Sequence, residues 1–463
     1  MNDDETLDLL IRADFVYPVD GRTEVIADGE IAVSGDRIVH VGRADPLRPR
    51  KARRVLGGPG FVALPGFVNC HSHAASVVFR SQTDDHEAKK ALLNVAFPME
   101  KDISTEEWRL LGELGCADML LAGVTTINDI WYSPETLAET VEKAGLRAQI
   151  ANKVFDVRLE NLRNGDYTHH AAIGEKRLAD GVAFAERWHG AAGGRITARI
   201  GPHATDTCDV GLFREARREA TRLGIGMHIH AAQSAAEAEH IRATYGCGPV
   251  RHLAEAGMLA PDVVLAHLVF AEDDDLAAAA EHGAGYAHCP TIYPRRGRYP
   301  RLEAILERGI PTGFATDWML NDPFEGMRYA INAMRLRLGS PSAMSGLDAL
   351  RFQTLGAAQV LGLASEIGSL EAGKKADIIL VSTEAPHLQP YYGGPEALVF
   401  YAKATDVHTS VVDGRVVMED RRIPGLDAAV IQRDVRAATP GWRKRLHALG
   451  SRAVFGPGCD CCG

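Results

Sequence analysis

The 463-residue sequence predicts an α/β protein: a (β/α)8 barrel of the TIM type with a small β-sandwich formed from both ends of the chain. Two observations support this prediction. In the middle of the sequence, short β-branched or apolar runs alternate with alanine-rich amphipathic helices, which is typical of parallel strands joined by helices. At both ends, short strand patterns alternate with Asp-Gly and Gly-Asp turns, which favour hairpins.

Eight candidate strands lie in a segment that we place at residues 61–365. In chain order they are FVNCHSH (67–73), VTTINDIW (124–131), RAQIANKVFD (147–156), ITARIGPH (196–203), IGMHIHAAQ (225–233), DVVLAHLVF (262–270), GAGYAHCP (283–290) and IPTGFATD (310–317). The alternative is a doubly wound open sheet, which should carry a glycine-rich phosphate turn after an early strand. The sequence has no such turn, so we favour the closed barrel.

The flanking segments differ from the middle and resemble each other. Residues 1–60 contain ADFVYPVDGRTEVIADGEIAVSGDRIVHVG, and residues 366–425 return to that style with GSLEAGKKADIILV and VHTSVVDGRVVMED. We expect these two segments to pair into one β-sandwich. Residues 426–463 are expected to form a C-terminal helix and a cysteine-rich tail. Cys459 and Cys462 form a CxxC pair there, but a zinc site usually needs four ligands and no second pair has suitable spacing.

The composition indicates a globular protein of neither the nucleic-acid-binding nor the membrane class. Apolar residues make up 46% and charged residues 24%, and the net charge is -10. No basic excess exists to neutralise phosphates. The acidic start, MNDDETLDLL, lacks the features of a signal peptide, and no run of about 18 apolar residues is present. Eight cysteines in so long a chain do not indicate a disulfide framework. We expect a cytoplasmic protein with a small-molecule substrate.

Polar residues recur at the ends of the predicted strands. His71 and His73 close the first strand, His230 the fifth, His267 the sixth and Asp317 the eighth. Side chains at positions i and i+2 of a strand share one face, so His71 and His73 can reach the same metal ion. The carboxyl ends of barrel strands meet around one active site. One histidine at one strand end is usually structural, but this recurrence favours a metal centre.

The predicted ligands suit one divalent ion per subunit. Three imidazoles and a carboxylate, from His71, His73, His230 and Asp317, can hold Zn2+, Co2+ or Fe2+ and leave a position open for water. Such an ion lowers the pKa of the bound water to about 7, which supplies hydroxide at neutral pH. We expect two catalytic residues: Asp317 takes the proton of that water, and His267 orients the water or polarises the substrate.

These motifs resemble those of the amidohydrolase superfamily. The resemblance spans nearly the whole chain and includes ALPGFVNCHSH, AGVTTINDI, HIHAAQ, VLAH, AHCP, ATDW and IGSLEAGKKADIILV. In detail the chain is similar to the branch that contains adenosine-type and S-adenosylhomocysteine deaminases and s-triazine hydrolases, which bind one metal ion. The resemblance implies the same four ligands, with His267 as their catalytic neighbour, and a homo-oligomer.

The resemblance also bears on neighbouring residues. His228 and His230 share a strand face, but the family pattern makes His230 the ligand and places His228 deeper in the barrel. Lys153 lies on the third strand instead of the fourth, so a bridging lysine for a second metal ion is not expected. The candidate substrate contacts are His203, Gln233, His288, Trp131 and Trp318.

The chain departs from the deaminase pattern at two places. In the deaminases, a glutamate that protonates the leaving nitrogen follows the ligand histidine by three residues, and HIHAAQ has Gln233 there. A glutamine donates a hydrogen bond but cannot shuttle a proton. Ammonia leaves poorly without a proton, whereas thiolate and halide leave readily. The sequence AHCPTIY is also more apolar than its deaminase counterpart. The alternative is that His267 or Asp317 supplies the proton.

These departures lead to three readings of function. The first is a metal-dependent hydrolase whose metal-bound hydroxide cleaves a C–S or C–N bond of an N-substituted carbonyl compound. By its size and its HAAQ motif, the chain resembles the molinate (thiocarbamate) and phenylurea hydrolases. The alternative is an aminohydrolase or chlorohydrolase of a purine, pyrimidine or s-triazine ring. A remote alternative is a non-catalytic scaffold, which should have lost ligands that this chain keeps.

Overall fold

The computed structural model describes residues 6–22, 25–47, 50–84 and 91–451. The strands are β1 (Leu7–Val16), β2 (Ile26–Ser34), β3 (Arg37–Arg43), β4 (Ala52–Pro65), β5 (Phe67–Ser72), β6 (Val124–Trp131), β7 (Arg147–Val154), β8 (Ile196–Pro202), β9 (Met227–Ala231), β10 (Val263–His267), β11 (Gly285–His288), β12 (Thr312–Phe314), β13 (Ile378–Ser382), β14 (Val407–Val412) and β15 (Arg415–Glu419). The α-helices are Phe97–Lys101, Thr105–Leu121, Pro134–Ala144, Ala171–Trp188, Val210–Leu223, Ala235–Tyr245, Pro249–Glu255, Asp273–Glu281, Leu302–Glu307, Pro323–Leu338, Gly346–Arg351, Ala357–Val360, Pro395–Tyr401 and Ala428–Ala448.

Strands β5 to β12 form the predicted barrel. Neighbouring strands run parallel, in the same order as in the chain. The first and last strands meet where the Asp317 N–H donates to the carbonyl of His71 at 3.0 Å. Strands β6 and β7 are buried along their whole length, as expected of a parallel sheet covered by helices. The eight predicted strands and the barrel are confirmed.

Both ends of the chain contribute to a second sheet of seven strands, in the order β15-β14-β13-β4-β1-β2-β3. Strand β4 joins the two contributions, because β1 pairs along one edge and β13 pairs with Phe61–Pro65 along the other. The β1–β4 register shifts beside Gly57 and Gly58, which have φ values of 72° and 133° that favour glycine. The small β-sandwich from both termini is confirmed, and its domain limits stay predictions.

Helix starts fix the loops that leave the barrel strands. The Ser234 hydroxyl accepts from the Glu237 N–H at the start of helix Ala235–Tyr245, immediately after β9. After the last barrel strand, Asp322 accepts from the N–H groups of Phe324 and Glu325 at the start of helix Pro323–Leu338. Such N-caps satisfy backbone donors that have no partner within the helix. These two loops are therefore anchored where their helices begin.

An ion-pair network joins the barrel to the terminal sheet. Arg147, the first residue of β7, is buried and contacts Asp377 through two hydrogen bonds of 2.9 and 3.0 Å. Its guanidinium also donates to Asp413 at 2.8 Å. Asp377 precedes β13 and Asp413 follows β14, so a single guanidinium ties the barrel to the C-terminal strands. Asp377 is itself buried and depends on this partner.

The C-terminal helix, Ala428–Ala448, packs on the barrel. Trp442 Nε1 donates to Glu107 Oε1 at 2.8 Å, which links this helix to helix Thr105–Leu121. The CxxC pair of Cys459 and Cys462 lies outside the described residues. Among the helices of the described residues, none combines the length and the apolar character needed to cross a bilayer.

We expect the substitution Arg147→Met to lower the free energy of unfolding by about 3 kcal/mol or more, because it leaves Asp377 buried and unpaired. Chemical denaturation followed by circular dichroism measures this loss. The matched control is Arg43→Met, which removes the exposed ion pair with Asp28 and should cost below about 1 kcal/mol. Equal losses in the two variants would contradict the coupling role of Arg147.

Candidate functional site

The predicted ligands meet at the carboxyl end of the barrel. Asp317 Oδ1 lies 3.3 Å from His71 Nε2 and 3.5 Å from His73 Nε2. The Nε2 atoms of His73 and His230 are 3.2 Å apart. Ligand atoms that bind one ion at 2.0–2.2 Å lie roughly 3 to 4 Å from one another, so these spacings suit a single ion. The structure brings the four predicted ligands together at one point.

Hydrogen bonds on the far side of each imidazole orient the ligand nitrogens. Nδ1 of His73 lies 2.8 Å from the Ile130 carbonyl, and Nδ1 of His230 lies 2.5 Å from the His203 carbonyl. Carbonyls accept only from a protonated Nδ1, which leaves both Nε2 lone pairs free for a metal. Nδ1 of His71 lies 2.7 Å from His228 Nε2, so His228 lies behind the centre as expected. The residues present therefore fit a divalent metal.

Burial keeps His73 and His230 neutral. The pKa values of His73 and His230 are held well below the ordinary value, first by burial and then by the neighbouring imidazoles. His71 Nε2 is buried and makes no hydrogen bond with the described residues. Neutral imidazole is the form that binds metals. The buried Nε2 of His71, which accepts no hydrogen bond from the described residues, fits a divalent cation as its partner.

His267 lies beside this cluster, as predicted. Its Nδ1 is 3.9 Å from Asp317 Oδ2, and burial lowers its pKa well below the ordinary value. His267 and Asp317 have φ values of 85° and 59°, which place both residues in the left-handed region that non-glycine residues rarely adopt. Such strain is concentrated at functional sites, where the surrounding structure enforces it. Asp317 thus turns Oδ1 to the ligand histidines and Oδ2 to His267.

A buried aspartate holds the turn after the first two ligands. Asp129, in strand β6, accepts from the Ser72 hydroxyl at 3.1 Å and from the Ala74 N–H at 2.6 Å. Burial raises the pKa of Asp129 to about 7. Because Ser72 and Ala74 flank His73, these bonds fix the direction of that ligand. Sequence analysis missed Asp129, although the motif INDI carries it.

A cavity opens over the metal centre. The lining residues are His73, Leu92, Phe97, Glu100, Trp131, Lys153, His203, His230, Gln233, His267, Ile292, Tyr293, Arg296, Asp317 and Trp318. Four of the predicted substrate contacts, His203, Gln233, Trp131 and Trp318, are among them. Nine of the fifteen lining residues are polar or charged, and six are aliphatic or aromatic. The cavity therefore combines apolar faces with many polar groups beside the predicted ligands.

The structure does not support the fifth predicted substrate contact, His288. This residue is buried but is not among the residues that line the cavity. Its Nδ1 and Nε2 each lie 2.9 Å from a tyrosine hydroxyl, of Tyr286 and Tyr299 respectively. Both ring nitrogens are therefore engaged inside the protein. His288 lies at the end of β11 as predicted, but its side chain does not face the cavity.

Three charged side chains of the cavity were not predicted as substrate contacts. Lys153 Nζ lies 3.1 Å from Glu100 Oε2, and both residues are buried. The ammonium also lies 4.9 Å from the ring centres of Phe97 and Trp131. Arg296 follows AHCPTIY in a short 3-10 turn. Of the three, only Lys153 lies at the end of a predicted strand, which marks a residue as a candidate for the site. From the sequence we weigh it solely as a bridging ligand for a second metal ion.

Two named relatives match nearly all of the chain. A 5-methylthioadenosine/S-adenosylhomocysteine deaminase of Pelotomaculum thermopropionicum is 36% identical over 435 residues, which cover 92% of this chain and 97% of the relative. A 5'-deoxyadenosine deaminase of Methanosarcina acetivorans is 30% identical over 447 residues, covering 95% and 100%.

Solved structures show the same fold. An adenosine deaminase of Xanthomonas campestris with bound zinc has a TM-score of 0.86 at 25% identity and covers 96% of this chain and 99% of its own. An atrazine chlorohydrolase of Arthrobacter aurescens complexed with zinc has a TM-score of 0.82 at 22% identity, covering 93% and 100%. At that lower identity the likeness concerns the fold alone.

These relatives correct the first reading of function. Cleavage of a thiocarbamate or phenylurea bond is wrong as the leading expectation, because relatives at 30–36% identity are named deaminases. The finer resemblance to molinate and phenylurea hydrolases is not confirmed. Gln233 led to the wrong expectation, because a side chain that cannot donate a proton favours a leaving group that needs none. The ring-hydrolase alternative is better supported.

The extent of the match determines the family. The sequence model described as "Amidohydrolase family" matches residues 62–417, which include the whole barrel and most of the C-terminal strands. That segment contains every predicted ligand and the cavity above them. The chain therefore belongs to the amidohydrolase family and is a metal-dependent hydrolase.

Proposed function

We propose that the chain is an aminohydrolase that removes the exocyclic amine from the adenine ring of a 5'-substituted adenosine. The observation that carries this proposal is the near full-length likeness to deaminases named for such nucleosides. The complete set of three histidines and one aspartate supports it, because a scaffold relative would have no need to keep them. We propose zinc as the metal, since the adenosine deaminase structure contains it.

His71, His73, His230 and Asp317 would hold this ion. A bound divalent metal supplies a Lewis acid and an activated water. Asp317 is the residue that we propose to take the water proton, because Oδ2 points toward His267 while Oδ1 points toward the ligand histidines. His267 Nδ1 makes no hydrogen bond with the described residues, so it is available to orient the reacting groups. The same aspartate then returns the proton to the leaving nitrogen.

Other residues of the cavity would hold the nucleoside. Gln233 donates a hydrogen bond to a ring nitrogen and contributes no proton. Phe97, Trp131 and Trp318 offer apolar faces for the purine. The buried pair of Glu100 and Lys153 presents a carboxylate acceptor and an ammonium donor together, which matches sugar hydroxyls. The cytoplasmic location and the homo-oligomer stay predictions.

The direct test is incubation of zinc-loaded protein with 5-methylthioadenosine, S-adenosylhomocysteine and 5'-deoxyadenosine. We expect loss of the adenine absorbance near 265 nm, formation of the hypoxanthine product and release of one ammonia per molecule converted. Mass spectrometry identifies the product and a coupled assay measures the ammonia. Release of methanethiol, methylthioribose or homocysteine with the amine retained would contradict the proposal.

Removal of a ligand histidine should remove the metal. We expect one zinc ion per chain in the purified protein and a reduction of at least about tenfold in bound metal for His73→Ala, because the remaining ligands form an incomplete site. Mass spectrometry of the metal content measures this. The matched control is His240→Ala, a histidine outside the cavity that stacks on Tyr167, which should keep full metal content. Retention of the ion by His73→Ala would place it elsewhere.

The substitution Gln233→Glu should increase deamination, because it adds a carboxylic acid of the same shape beside the ring. We expect kcat for adenosine-type substrates to rise by about tenfold or more, which is below the roughly 10²–10⁴-fold effect of a fully positioned general acid. The matched control is the 6-chloropurine riboside, whose chloride leaves without a proton, so its kcat should change little. An equal effect on both substrates would show that the residue acts through binding and not through proton transfer.

A further inference from the structure

The cavity contains two cationic side chains, Lys153 and Arg296, and of these two only Lys153 forms an ion pair with a described residue. Lys153 is paired with Glu100 at 3.1 Å. The guanidinium of Arg296 lines the same cavity and makes no hydrogen bond or ion pair with any described residue. Its Nη2 atom is buried. A buried donor atom without a hydrogen-bond partner is costly, and a ligand acceptor in the cavity would satisfy this Nη2.

The adjacent arginine shows that this lack of a partner is specific to Arg296. Arg295 Nη2 donates to Asp84 at 2.6 Å and uses the nearest carboxylate. Arg295 is exposed and is not among the residues that line the cavity, whereas the guanidinium of Arg296 turns inward. Two consecutive arginines therefore have different surroundings: one forms an ion pair at the surface, and the other faces the substrate space.

The backbone around Arg296 holds it in place. Tyr293, Pro294 and Arg296 form a short turn in which the Arg296 N–H donates to the Tyr293 carbonyl at 2.8 Å. Gly297 ends the turn with a φ of 69°. The guanidinium carbon lies 5.8 Å from the centre of the Trp318 ring, which is an aromatic contact typical of arginine. The side chain is thus oriented before any substrate arrives.

The neighbours of Arg296 indicate which part of a substrate it would meet. Tyr293 lies in the same turn, and its ring centre is 5.3 Å from that of His267. Trp318, which Arg296 contacts, directly follows Asp317 in the chain. His267 and Asp317 are the residues that we place at the reacting carbon. A group that Arg296 contacts therefore belongs to the ring that carries this carbon. A substituent at the far end of the molecule would lie elsewhere.

We propose that Arg296 is a specificity-determining residue that donates hydrogen bonds to an acceptor oxygen on the substrate ring. Arginine presents its donors in a planar fork that suits such an oxygen, and the bond is strongest when the oxygen carries negative charge. The inference rests on the proposed function and refines its substrate class at the ring: the preferred aminopurine nucleoside carries an oxygen on the ring. 5-methylthioadenosine, S-adenosylhomocysteine and 5'-deoxyadenosine lack that oxygen and are converted at a lower kcat/KM.

The test uses product nucleosides, because their binding does not depend on turnover. Inosine and xanthosine differ by one ring oxygen, and isothermal titration calorimetry on zinc-loaded protein compares their Kd values. We expect xanthosine to bind at least about tenfold more tightly than inosine, and Arg296→Met to abolish the difference, because a site built for a hydrogen bond discriminates against ligands that lack it. Arg296→Lys should keep part of the preference.

The matched control is Arg295→Met, which changes the neighbouring arginine outside the cavity and should keep the full preference for xanthosine. Metal content and melting temperature of all variants show whether they are folded. Equal binding of inosine and xanthosine by the native protein would overturn the inference, as would an unchanged ratio in Arg296→Met.

A second probe pair separates this inference from the proposed function. Melamine and ammeline are triazines in which one amine of melamine is replaced by an oxygen in ammeline, so ammeline carries an acceptor oxygen that melamine lacks. A preference for ammeline that depends on Arg296, without purine binding or deamination, would contradict the nucleoside proposal and support the role of Arg296. Failure of the native protein to prefer the oxygen-bearing member of either pair would overturn that role.

Discussion

The closure of the barrel between its first and last strands is the constraint on which the site depends. The main-chain hydrogen bond from Asp317 to the His71 carbonyl joins two segments that are far apart in the chain. The same contact brings the Asp317 carboxylate to His71 and His73. His230 then joins them because β9 runs parallel to its neighbours and ends at the same rim. Any change that separates β5 from β12 removes the carboxylate from the histidines.

Burial determines how the polar groups of this site behave. His73 and His230 stay neutral because burial, and after it the neighbouring imidazoles, disfavour a protonated ring. Glu100 and Lys153 tolerate burial by compensating each other. Asp129 is stabilised by backbone and hydroxyl donors instead of a cation. Each of these buried charges thus has a partner within the protein. For Arg296, the partner that we propose is an oxygen of the substrate.

The parts of the protein that follow local periodicity were predictable from sequence. The eight barrel strands follow from short apolar runs separated by amphipathic helices, and the shared face of His71 and His73 follows from the two-residue period of a strand. Neither needs knowledge of distant contacts. Glu100 and Arg296 were not identified because they lie on short helical turns, whose path depends on packing. For His288, the sequence predicts the position at a strand end correctly. The direction of its side chain depends on hydrogen bonds with two tyrosine hydroxyls, which the sequence pattern does not reveal. The expectation of thiocarbamate or phenylurea cleavage was wrong because it gave one residue, Gln233, more weight than the likeness of the whole chain to deaminases.

The shared strand β4 has a consequence for the synthesis of the chain. Its first edge pairs with β1 early, but the second edge receives β13 only after the entire barrel segment has been made. Until then, a nascent chain exposes an unpaired strand edge, which is a template for association with other chains. The terminal sheet is therefore completed only after the barrel has been synthesised. We expect the exposed edge of β4 to favour aggregation while the ribosome is producing the barrel segment.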